Sequence, residues 1–113
     1  MAGSCTEGAG RMKLIEKLSD QIEEELCDAE KYIDCAIKLK FERPAMANTY
    51  AKISGEEIGH ANLLHELVVT LINEYRAKNG DPPEKMQGIY EYLHRKHMEK
   101  ANEIKIKQAL YKG

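Results

Sequence analysis

Two short breaks constrain this chain more than any other feature. Phe41-Glu42-Arg43-Pro44 and Asn79-Gly80-Asp81-Pro82-Pro83 interrupt sequence that is otherwise continuously amphipathic. Proline suits the first turn of a helix and keeps the residue before it out of the helical region, whereas Asn-Gly closes a helix. The segments between the breaks therefore predict long helices over roughly 12–40, 44–78 and 83–111. Connections this short make consecutive helices antiparallel neighbours, so the expected fold is all-α, an up-down-up bundle of three long helices. With 113 residues there is room for one core, and residues 12–113 are expected to form a single domain. Residues 1–11 are small, glycine-rich and without periodicity, and are expected to be a disordered leader.

Composition narrows the function classes. Apolar residues make up 42% and charged residues 32%, with no Trp and one Phe, as in a charge-coated helical protein. The net charge of −2 provides no global field for phosphate, which argues against a nucleic-acid partner. The longest apolar run, residues 63–72, is broken by His65 and Glu66 and is too short to span a bilayer, so no membrane association is expected. Cys5, Cys27 and Cys35 form no zinc or redox spacing. Cys27 and Cys35 on one helix would lie roughly 12 Å apart, beyond disulfide reach. No secretory signal is visible, and a cytoplasmic location is expected.

Helical spacing assigns a buried stripe to each segment. The first is Ile15, Leu18, Ile22, Leu26, Ala29, Ile33 and Ala36, flanked by Glu25 and Tyr32. The second is Met46, Tyr50, Ile53, Glu57, His60, Leu64, Leu67, Leu71 and Tyr75. The third includes Met86, Ile89, Tyr90, Leu93, His97, Lys100, Ala101, Ile104 and Tyr111. Glu57 and His60 thus stand where Leu would otherwise be expected. A carboxylate in a bundle seam costs several kcal/mol unless it is paired, protonated or metal-bound. Glu57-Ile58-Gly59-His60 is a Glu-x-x-His motif, whose i, i+3 spacing points a carboxylate and an imidazole at one spot. A similar Glu91-x-x-His94 places its Glu away from the seam. Across the first turn, the level of Glu57 brings in Glu24, Glu25 and Asp28, of which Glu25 lies closest to the apolar stripe. Glu25, Glu57 and His60 are therefore the expected metal ligands, with Glu24 and Asp28 as further candidates. The competing reading is a polar core in which Glu57 forms an ion pair with Lys100 and His60 hydrogen-bonds beside it.

Residues 24–65, EELCDAEKYIDCAIKLKFERPAMANTYAKISGEEIGHANLLH, resemble the first helical hairpin of the rubrerythrin branch of the ferritin-like superfamily. That hairpin carries a Glu in its first helix, a Tyr- and Ala-containing stretch, a turn, an aromatic residue, and then Glu-x-x-His-Ala. The resemblance implies a bridging role for Glu57 and a terminal one for His60. Its first-helix Glu falls on Glu24 by strict spacing and on Glu25 if the turn differs by one residue. It further implies iron or manganese as cofactor, with ferroxidase or peroxide-related chemistry. The chain from Met12 also resembles small three-helix proteins encoded in bacteriophages and prophages. The departures are a tight turn where ferritin-like bundles have a long crossover, no fourth helix, and no rubredoxin-like four-cysteine domain. Metal chemistry would then need a homodimer, as in two-helix encapsulated ferritins that assemble a di-iron site between subunits. The alternative is a non-enzymatic phage-encoded structural or host-interaction protein with a polar core.

Charge is segregated. Acids crowd residues 15–34 and bases crowd residues 95–112. Attraction between the first and third helices is the simplest explanation, and an acidic protein partner for the basic strip is the functional alternative. Ile58, Val69 and Ile72, outside the assigned stripe, predict an isologous dimer along the second helix.

Overall fold

The computed structural model describes residues 3–113, with side chains from residue 10 onward. It is all-helical: α1 (Gly3–Leu39), α2 (Pro44–Asn79) and α3 (Glu84–Lys112), with no strand among the described residues. Gly10 and Arg11, from the segment expected as a leader, belong to α1, and the Arg11 guanidinium lies 5.8 Å from the Tyr75 ring centroid. The remainder of that segment lies outside the residues described in side-chain terms. No helix among the described residues is long and apolar enough to cross a membrane.

The turns end the helices as their chemistry requires. The Arg43 amide donates to the Leu39 carbonyl at 2.9 Å, and Pro44 opens α2. At the other end Gly80 adopts φ 78° and ψ −157°, a region open essentially to glycine alone, while its amide donates to the Arg76 carbonyl at 3.0 Å.

The three helices lie lengthwise in a rod 64 × 17 × 17 Å. The tightest packing is between α1 and α2, and α3 lies chiefly against α1. The buried line of α1 is Ile15, Ser19, Ile22, Leu26, Ala29, Ile33 and Ala36, close to expectation, and that of α3 is Met86, His97, Ala101, Ile104 and Tyr111. On α2 the expected stripe is corrected. The buried residues are Ala47, Ser54, Ile58, Ala61, Val68 and Ile72, whereas Met46, His60 and Leu67 are exposed. Helix α2 is rotated so that its small residues meet the small residues of α1, and the larger apolar side chains fall to the flank. Ile58 and Ile72, expected to serve a dimer, are instead core residues of the single chain.

Ser54 joins all three helices. It is fully buried, its hydroxyl donates to the Ala29 carbonyl at 2.6 Å, and it accepts from the Gln108 amide at 3.0 Å. A charge ladder then fastens α3 to α1. Lys96 pairs with Glu23 at 2.8 Å, Lys100 with Glu30 at 2.6 Å, and Lys107 with both Glu30 at 3.3 Å and Asp34 at 2.9 Å. Lys100 is therefore bound to Glu30, not to Glu57 as the polar-core reading expected. The hydrogen bond from Lys100 holds Glu30 below the usual carboxylate range, and Glu30 in turn raises Lys100. Half of the basic residues between 95 and 112 are thus engaged by α1, which accounts for much of the charge segregation without an outside partner.

Two substitutions test these points by denaturant unfolding. Ser54→Ala removes one buried hydroxyl and should cost about 1 kcal/mol. Gly80→Ala forces a Cβ into the strained turn and should cost about 1–3 kcal/mol. Unchanged midpoints would contradict the roles given to Ser54 and Gly80.

Candidate metal centre

The register that places Ala29 opposite Ser54 sets Glu25, one turn earlier on α1, beside Glu57, nearly one turn later on α2. His60 follows Glu57 by three residues on the same face. One ligand atom from each of Glu25, Glu57 and His60 lies within 4.8 Å of the others. His60 Nδ1 is 3.5 Å from Glu25 Oε2 and 3.8 Å from Glu57 Oε2. The carboxylates are the more enclosed members, with side chains 28% and 18% exposed against 56% for His60.

Two electrostatic features distinguish the cluster. Glu25 Oε2 is buried and has no hydrogen-bond partner. Glu57 is held above the usual carboxylate range, first by its hydrogen bond with the Glu25 carboxyl, then by burial and the Glu25 charge, with His60 pulling the other way. Two acids thus face one imidazole. Two carboxylates and an imidazole converging on one point are a donor set for a divalent transition metal such as iron or manganese. The buried oxygen without a donor is the position such a cation would satisfy.

Glu24 and Asp28 are exposed and stand outside the cluster, as does Lys100. The second Glu-x-x-His does not form a site. Glu91 is exposed and accepts from Gln87 at 2.9 Å, while His94 stacks on His65 with ring centroids 4.7 Å apart. His65, half-buried, stands seven residues from each of the buried Ile58 and Ile72, a signal visible once that stripe is known. Also missed from sequence was the stacked pair Tyr32–Tyr50, at 5.9 Å, two turns from the carboxylates toward the α1–α2 turn.

His65 and His97 both lie below the ordinary histidine value of 6.5, burial being the largest cause in each. His97 Nε2 is buried without a hydrogen-bond partner, and the nearest carboxylate, Glu23, is already paired with Lys96. The folded chain therefore prefers these imidazoles neutral. Their contribution to stability is complete above about pH 6.5 and is lost as pH falls through that unfolded value toward the lower folded one. Unfolding free energy should fall on acidification from about pH 7.5 to about pH 5, and the slope should flatten in His65→Gln/His97→Gln. Equal slopes for the two proteins would refute the assignment.

Searched against protein-family models, curated proteins and solved structures, the chain has no match.

Proposed function

We propose that this chain is a ferritin-like metal-carboxylate protein that binds iron or manganese through Glu25, Glu57 and His60, with the second half of a di-metal ligand set coming from another subunit. One observation carries the reading: the three ligand atoms lie within 4.8 Å of one another and include a buried carboxylate oxygen without a donor. Glu25 and Glu57 would neutralise the cation, and His60, on the exposed side, would be a terminal ligand that leaves room for a small molecule. Bound iron would supply a one-electron couple for Fe(II) oxidation by oxygen or peroxide in the cytoplasm of a bacterial host. The resemblance of residues 24–65 to rubrerythrin-type hairpins points the same way, with Glu25 rather than Glu24 as the first-helix ligand.

Chain loaded anaerobically with Fe(II) and desalted should retain about one metal per subunit, and Glu57→Ala should retain at least about tenfold less. Wild-type protein that retains none would end the metal reading. On admitting air, ferroxidase activity would appear as Fe(II) loss faster than in buffer and absent from Glu57→Ala.

A second reading, a non-enzymatic phage-encoded structural or host-interaction protein, is favoured by the raised Glu57, because two carboxyls that share a proton beside an imidazole form a polar network without a metal. Under it, the melting temperature is indifferent to chelators and to added Mn(II). A Mn(II)-dependent rise would exclude it.

A further inference from the structure

Because α3 leans chiefly on α1, a cleft of about 410 Å³ opens between α3 and α2 in the half of the rod that holds the α1/α2 turn. That volume suits a small organic molecule. Its α2 wall is a single helical face, Asn48, Ala51, Lys52 and Gly55, and its α3 wall is Gln108, Tyr111 and Lys112. Gly55 keeps the α2 wall open. A Cβ added there would meet no atom within 4 Å, so no close helix contact requires this glycine, although glycine weakens a helix interior. The polar groups around the cleft are unequal in kind. The Tyr111 hydroxyl donates to Asn48 Oδ1, which leaves the Asn48 amide nitrogen as an unused donor. Gln108 donates to the Ser54 hydroxyl at 3.0 Å and keeps its own carbonyl oxygen as an unused acceptor. Lys52 and Lys112 are exposed and form no ion pair or hydrogen bond among the described residues. No acidic residue lines the cleft among those described. Lys40 also donates to the Tyr111 carbonyl at 2.6 Å, which offsets the negative C-terminal end of α3 beside it. Unused donors therefore prevail, and two of them are cations.

We propose that this cleft binds a small organic carboxylate, with its apolar body laid over Ala51 and the Tyr111 ring beside Gly55, and its carboxylate taken by Lys52 and Lys112 at the rim. The Asn48 amide supplies a further donor. An inorganic anion would leave the apolar walls wet, and an organic cation would meet two ammonium groups. The carboxylate with a short apolar body satisfies both. The cleft shares no residue with Glu25, Glu57 and His60, so it stands whether or not that cluster holds a metal.

Octanoate, acetate and octylamine titrated into the isotope-labelled full chain, followed by amide resonances, test this. Octanoate should give saturable shifts centred on Ala51, Gly55 and Gln108. Acetate, which has the charge without the body, should bind at least about tenfold more weakly, and octylamine, which has the body without the negative charge, should leave those amides unmoved. Lys52→Gln/Lys112→Gln should weaken octanoate about tenfold or more. Gly55→Leu fills the cleft and should abolish the octanoate shifts while its melting temperature is no lower than that of the wild type. Both lysines are exposed, so the double variant carries the test alone if Gly55→Leu loses helicity by circular dichroism. No saturation by octanoate overturns the proposal, as do shifts centred instead on Leu14 and Leu67 in the apolar cleft of the other rod half. Equal binding of octanoate and octylamine, or octanoate affinity unchanged in the lysine variant, overturns it as well.

Discussion

The close approach of α1 to α2 at Ala29 and Ser54 sets everything else in this molecule. Both residues are fully buried, and the Ser54 hydroxyl reaches the Ala29 carbonyl at 2.6 Å, which requires the two helices to meet on their smallest side chains. Ala36 and Ala47 continue the contact toward the turn. When small residues occupy the line of contact, larger ones are displaced to the flanks. On one flank α3 packs and the charge ladder forms. On the other, Glu25 and Glu57 are left side by side, too enclosed to be freely solvated and too close to be independent.

That arrangement explains why the cluster is held together. A single carboxylate at the edge of a bundle would turn to water, but the register fixes both. One imidazole, His60, faces the two carboxylates, and Lys96, Lys100 and Lys107 of α3 are committed to Glu23, Glu30 and Asp34 of α1. Lys100 illustrates the point, since it pairs with Glu30 and not with Glu57. Neutralisation must come from a shared proton, a metal cation or another subunit.

Much of this was legible in the sequence. The two turns and three helices follow from Pro44, Asn79-Gly80 and Pro82-Pro83, because proline and glycine act through local backbone geometry. The grouping of Glu25, Glu57 and His60 was legible too, since it depends on spacing and on counting across a short turn. The face of α2 was not. Two interleaved seven-residue stripes run along that helix, one of small and branched residues and one of larger apolar residues, and hydrophobicity alone favours the larger set. Ala47, Ser54 and Ala61 carry the contact because closeness of approach outweighs side-chain size. The partner of Lys100 was misjudged for a related reason. Level along the rod was counted correctly, but α3 sits on the side of α1 that bears Glu23, Glu30 and Asp34, away from Glu57.

The central claim is that the two carboxylates and the imidazole form one cation site. Substoichiometric Mn(II) added to isotope-labelled protein would locate it by paramagnetic broadening of amide resonances. The account predicts that signals around Glu25, Glu57 and His60 disappear first, while those around Gly80, at the far end of α2, stay sharp. Broadening spread evenly over the acidic surface, or centred on Glu23, Glu99 and Glu103, would contradict it.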